Sequence, residues 1–501
     1  MTKTVTTGKA TDLITFTRST TGTYLDSVKY GDDKANAFAG SGGNDWTVVD
    51  KNTVTATEPS ATNYFTGIVS GLTIGAQYKI VLTITNYAGT NNLGIGSAGG
   101  VGSSVRLASN GTVTSFFTAT AVSLDAYVRT NSSGTINVSV VEVTSTAGGT
   151  PLLRTADTNE PRIEYDADGN LKGLLIEEQR TNDVTQSEDL TTWLKASGGA
   201  VVANQTIAPD GTKTADEMVG VVYKAPDIGS STRAFSVFLK AKAGTTAQVR
   251  IDAPASQRII VDLTDGSVTF STGDSLDSYG VVDVGNGWYR CHIVVTDSIT
   301  NYVITAEAND ATHTIYAWGA QFEQGSFPTS YIPTSGSTVT RNADVVNVNP
   351  STFELNQNES TLFVSGTSMP TRDVGTVKEF WCASLHTASG YANMRFYSGG
   401  VANSAVQDAV GFDGGVQFDA TGATISPPVE FSSVLAIKDN DVGYANQSMT
   451  GVNIDTSSTF SDFNNLRIGS TGSGSYLNGH VQSVKYYPVR LTNDQLKALT
   501  Q

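Results

Sequence analysis

Seven consecutive residues, Tyr78-Lys79-Ile80-Val81-Leu82-Thr83-Ile84, alternate large apolar with other side chains, and Thr135 to Val143 (TINVSVVEV) does much the same. A period of two places one set of side chains on each face of an extended chain, so both runs predict half-buried strands of a sandwich. The rest of the chain agrees: 50 glycines, only 16% charged residues and long Thr/Ser/Val-rich tracts in 501 residues favour strands joined by tight turns over helices. At about 150 residues per domain, three or so domains are expected, each large enough to bury a core.

Charge and termini narrow the class further. A formal net charge of −16 with no basic run argues against nucleic acid, because phosphate contacts need clustered Lys and Arg. The segment Met1 to Lys9 lacks the apolar stretch of a secretory signal, and no apolar run reaches bilayer-spanning length, so synthesis in a cytoplasm without membrane insertion is expected. Cys291 and Cys382 fall in separate strand-like runs and read as free buried thiols rather than a disulfide.

Turn chemistry marks further elements. Arg162 to Tyr165 and Leu171 to Ile176 flank Asp166-Ala167-Asp168-Gly169-Asn170, a hairpin in which Asp-Gly supplies positive φ. Asn286-Gly287 marks a turn into the aromatic strand starting at Trp288. The region 183–344 loosely repeats the plan of the earlier one. Trp46 parallels Trp193, the run around Ile80 parallels Arg233 to Lys240, and Thr135 to Val143 parallels Thr314 to Glu323. Pro328 and Pro333 favour an extended connector, and Thr340 to Asp344 reads as a polar exit to the last domain. In that domain Val434 to Ile437, Val442 to Asn446, Leu466 to Gly469 and Gly479 to Tyr487 read as strands. Thr492 and Gln495, at capping-box spacing, open a short terminal helix.

The run Thr15 to Tyr24, the block EPRIEYDADGNLKGLLIEEQRTN at Glu160 to Asn182 and the stretch Trp318 to Thr334 resemble bacteriophage fibre and spike proteins of head or tail. That resemblance implies an all-β protein of tandem β-sandwiches, two jelly rolls followed by a concanavalin A-like (laminin-G-like) sandwich, ending in a short C-terminal helix. Its domains would be a framework segment at 1–30 plus 148–182, an inserted jelly roll at 31–147, a second jelly roll at 183–345 and the final sandwich at 346–501. It also implies a virion location after assembly in the host cytoplasm, a homotrimer, contacts with other phage virion proteins, and multivalent lectin-like attachment to host-surface glycans. A purely architectural decorating or adaptor protein and a glycan depolymerase are the alternatives.

No catalytic constellation is legible. His292, His313, His386 and His480 are scattered, no serine sits in a nucleophile elbow, and no paired carboxylates follow residue 345. Glu177 and Glu178 are adjacent and would face opposite sides of a strand. Asp439 and Asp441, Asp210-Gly211 and Asp265-Gly266 read as turn residues. No cofactor is expected. A structural calcium is compatible with such folds, but spacing gives it no ligand set. Sugar stacking needs exposed aromatic faces beside polar groups, so Trp46, Tyr64, Tyr87, Trp193, Tyr223, Tyr391, Arg395 and Tyr397 are the glycan-binding candidates, with core packing as the competing role for each. Trp318 and Trp381 read as core.

Overall fold

The computed structural model describes residues 3–5, 14–96, 105–146, 148–226, 228–253, 256–269, 276–306, 313–348, 355–368, 377–399, 405–413, 415–425, 429–471 and 474–501. The chain is all-β, built of tandem sandwiches with one short helix, Asn493–Leu499, at its C-terminal end among these residues. It divides into two compact units. One comprises Met1–Asp26, Leu153–Ala203 and Asp216–Gln501, and the other Ser27–Leu152 and Asn204–Ala215. The sequence reading put an inserted module at 31–147; the second unit also takes in residues 204–215.

In the second unit the alternating runs become central strands. Gln77–Gly89 pairs antiparallel with Ser132–Ser145, setting Ile80 opposite Val140, Leu82 opposite Val138 and Ile84 opposite Ile136. All six are buried, in the same cluster as Phe65, Leu93, Ile95 and Val128 from a second, four-stranded sheet. Two sheets packed face to face over apolar side chains make a sandwich, each buried Val, Leu or Ile contributing roughly 1.5–3 kcal/mol of transfer free energy.

The larger unit contains two such cores. In the first, Ile228–Ala241 lies between Trp288–Ile299 and Ile315–Gln324, with Phe235 opposite both Ile293 and Phe322. This ten-stranded sheet folds over, so that Thr246–Asp252 faces Trp288–Ile299 across a shared core. The Asn286-Gly287 turn has positive φ at both residues, 56° and 76°, which is the type I′ geometry that matches strand twist. The loose sequence repeat has a structural counterpart: Ile228–Ala241 bonds to Ile315–Gln324 as Gln77–Gly89 bonds to Ser132–Ser145.

The second core lies between an eight-stranded and a seven-stranded sheet built mainly from residues after 345. Here the structure departs from a separate framework segment. Ile14–Thr17 pairs with Val345–Val348, and Leu171–Ile176 pairs with Gly479–Tyr487. Phe16, Leu174 and Ile176 are buried in the same cluster as Leu435, Tyr444 and Leu466. The framework strands therefore complete the last sandwich, because their apolar faces find cover only there. The terminal helix opens on Thr492, whose side chain accepts from the Gln495 N–H while the Gln495 side chain accepts from the Thr492 N–H, and it buries Leu496.

Candidate functional site

The resemblance-bearing residues converge on a buried ionic cluster. Arg18 and, from the Glu160 to Asn182 block, Arg162 and Glu177 meet Arg341 and Asp344 of the segment that follows the resemblance, so three distant stretches of sequence contribute, and each of the five residues is at most 2% exposed. Asp344 accepts from Arg18 Nη1 at 3.0 Å and from Arg162 Nη2 at 2.5 Å. Glu177 lies 2.8 Å from Arg162 Nη1 and 3.4 Å from Arg341 Nη2, and it accepts from the N–H and hydroxyl of Ser330, each at 2.7 Å. The two acidic residues also bond to each other: the Glu177 N–H donates to the side-chain Oδ2 of Asp344, and the Asp344 N–H donates to the Glu177 carbonyl, both at 2.9 Å. Three guanidiniums face two carboxylates. Further donors go to carbonyls, Arg18 to Thr20 and Asp157, Arg162 to Thr23, and Arg341 to Glu178 and Asn342, while Arg162 Nε and Arg341 Nε are buried without a hydrogen-bond partner.

The segment Thr340 to Asp344, read from sequence as a polar exit, is thus in part a hub of the interior. Its two charged side chains are paired, and pairing is what allows charge to be buried. Burial alone would raise the Glu177 carboxyl, but Arg341, Arg162 and the Ser330 hydrogen bonds outweigh it and hold the group down at about 2. Such a carboxylate stays ionised at neutral pH and is no proton donor.

Beside the cluster, Glu164 Oε2 lies 2.5 Å from His480 Nε2 and 2.7 Å from Lys172 Nζ, while His480 Nδ1 lies 3.1 Å from the Thr367 hydroxyl. Burial keeps His480 neutral and outweighs Glu164. The neutral ring then donates from Nε2 to Glu164 and accepts at Nδ1 from Thr367, with the tautomer assigned by these partners. His480 is 2% exposed, so this hydroxyl–imidazole–carboxylate chain ties strands together within the sheet.

A cleft of about 650 Å³ opens where the end of the signature block meets two other strands; it is lined by Gln179 to Thr181, Asp183, Ser230 to Arg233, Gln324 and Gly325. Asn182 positions it from beneath. Its Nδ2 donates to the Ala320 and Ile332 carbonyls, and its Oδ1 accepts from the Val184 and Phe322 N–H groups, so a buried amide is fully satisfied. Each cleft arginine lies over a phenyl ring: Arg180 is 4.9 Å from the Phe327 centroid and Arg233 is 5.6 Å from that of Phe322. Arg233 Nη1 meets Asp183 Oδ2 at 2.5 Å, and Arg180 Nη2 meets Glu178 Oε1 at 2.5 Å. Gly325 makes room, since a Cβ there would lie 2.3 Å from Arg180 Nη2, and its φ of +144° disfavours other residues. The Glu323 carboxyl behind Arg180 is raised by burial and accepts from Gln321 and from the Thr329 N–H and hydroxyl.

The aromatic candidates lie elsewhere. Trp46 and Trp193 are core residues, set edge-on against Phe65 and Tyr302 at 5.9 and 5.4 Å. Tyr64 is half-buried beside Tyr127, and Tyr87 is half-buried with its hydroxyl donating to the Asn91 carbonyl. Tyr223 is half-buried in the strand Ala215–Lys224. Tyr391 stacks on Phe412 at 6.0 Å, and Arg395, on the same face four residues along, pairs with Asp408 at 2.9 Å. Trp318 is buried. The side chains of Tyr397 and Trp381 lie outside the described residues. Tyr391, Arg395 and Tyr397 share the strand Gly390–Gly399, and none of the eight lines the cleft. The cleft lining holds no aromatic ring, so the stacking signal that marks sugar sites in a sequence does not reach it. The one local signal was Arg180-Thr181-Asn182 closing the signature block.

Asp439 and Asp441 flank Asn440, whose φ is +58°, in the predicted turn, and Asp441 pairs with Arg490. Among the described residues no group of three or more His, Cys, Asp or Glu could hold a metal ion, and no helix is long and apolar enough to cross a membrane. Both cysteines are free and buried. Comparison with protein families and with curated protein sequences finds no match to this chain.

Proposed function

We propose that this chain is a phage virion protein of fibre or spike type that holds the particle to host-surface glycans through multivalent, lectin-like contacts, working as a homotrimer and by binding rather than by chemistry. The observation that carries the reading is the cleft at the end of the signature block. Hydroxyls, amides and ring-backed guanidiniums line an open polar groove, the donor and acceptor set that a polyhydroxylated ligand requires. The carboxylates nearest the signature residues support a binding role, because Glu177 and Asp344 are engaged by arginines and not by solvent. Weak single sites suit a trimeric appendage, in which linked copies raise effective concentration.

The test uses labelled full-length protein on host cells, with soluble surface polysaccharide as competitor. Retention that the polysaccharide abolishes, and that Arg233→Ala with Gln324→Ala reduces, is the expected result. Steady release of new reducing ends would replace the reading with a depolymerase. Retention only on virus particles, with no cell or glycan binding, would replace it with an architectural adaptor.

A further inference from the structure

We infer that the cleft is built for an uncharged sugar bearing neighbouring hydroxyls rather than for an acidic one, an inference that rests on the glycan reading of this site. Two guanidiniums stand at the cleft, and each already has a carboxylate at 2.5 Å, Asp183 for Arg233 and Glu178 for Arg180. With Glu323 Oε2 a further 3.8 Å from Arg180 Nε, three carboxyl groups surround two guanidiniums and leave no net positive charge to attract an anion. An acidic sugar would meet Asp183, which lines the cleft, head on, and like charges at an interface are strongly disfavoured.

The same pairs suit a diol. An arginine has five N–H donors and a carboxylate about four lone-pair sites, of which one contact between them occupies one each. Arg233 and Asp183 therefore present a donor and an acceptor side by side. One hydroxyl of a vicinal pair can accept from the guanidinium while its neighbour donates to the carboxylate. The exposed amides of Gln179 and Gln324 add a donor and an acceptor each at the rim. The phenyl rings of Phe322 and Phe327 hold the guanidinium planes in place, which lowers the ordering cost of such directional contacts. Selectivity for neutral glycans then follows from geometry, and binding is nearly insensitive to salt.

The experiment is calorimetric titration of the full chain with neutral oligosaccharides from dextran, mannan and galactan, and with polygalacturonate and sialylated oligosaccharides, at low and high ionic strength. At least one neutral series is expected to bind with little salt dependence. Asp183→Asn is expected to weaken it about tenfold, as is Arg233→Lys, each about 1.4 kcal/mol. Gln324→Ala, on the exposed rim, gives a smaller loss in a variant that has no folding penalty. Binding of the acidic series alone, weakened by salt, overturns the inference and leaves the glycan reading standing. Neutral binding that survives all three substitutions places the sugar elsewhere and overturns the inference too. Absence of binding to any glycan or host cell overturns the reading beneath it.

Discussion

Asp344 shows what a single side chain does in this molecule. It compensates Arg18 and Arg162 at once, and all three are essentially without solvent contact. Asp344→Asn keeps the shape and removes the charge, leaving two buried guanidiniums short of a partner. We expect a loss of about 3–5 kcal/mol, read as an earlier midpoint in urea denaturation; an unchanged midpoint would show that the cluster is not a stability element. Protonation acts at the same scale. Burial and Arg290 push the His292 imidazole down to about 3, so the unfolded chain takes up a proton first as the pH falls below roughly 6.5. Its stabilising contribution is full above that pH and is lost toward 3. Glu177, held at about 2, adds a second loss of the same sign between roughly pH 4.5 and 2. Melting temperature should thus decline from pH 6.5 downward, and His292→Gln should flatten the upper part of that decline.

Among elements, hairpins and caps were readable from local chemistry. The turn at Asp166 to Asn170 forms with Gly169 at φ 79°, and Asp166 Oδ1 accepts from the Asp168 and Asn170 N–H groups. The capping box at Thr492 forms as its spacing predicted, and Thr492→Ala should cost about 1 kcal/mol in thermal denaturation. Strand partners were a different matter. Nothing in Ile14–Thr17 announces pairing with Val345–Val348, since a strand edge offers the same backbone groups to any partner. The extended connector around Pro328 and Pro333 was expected, but its burial was not: Ser330 serves Glu177 and Thr329 serves Glu323. Gly325→Ala tests the cleft as an element. Its Cβ meets Arg180 Nη2, so under the proposed glycan-binding role retention on host cells should fall severalfold while the folded state persists by circular dichroism.

At the scale of the whole molecule, the separate cores carry the consequence. Leu82 lies fully buried in the core of the smaller unit, and Asp344 in the larger. Scanning calorimetry should resolve more than one transition. Leu82→Ala, at about 2–5 kcal/mol, should lower one of them, and Asp344→Asn another. A single transition that both substitutions shift equally would mean the units unfold together.

The amino-acid sequence alone determined the fold class, the alternating strands, the tight turns and the terminal helix, because each depends on side-chain period or backbone preference within a few residues. It also drew attention to the signature block without revealing why its charges matter. Tertiary structure decided that Arg18, Arg162, Glu177, Arg341 and Asp344 meet, and that Arg180, Asp183 and Arg233 line one cleft. Those choices depend on which strands pair across hundreds of residues. Burial then turns a polar residue that looks like surface in sequence into a paired charge in the interior, and a tryptophan that looks like a binding platform into core.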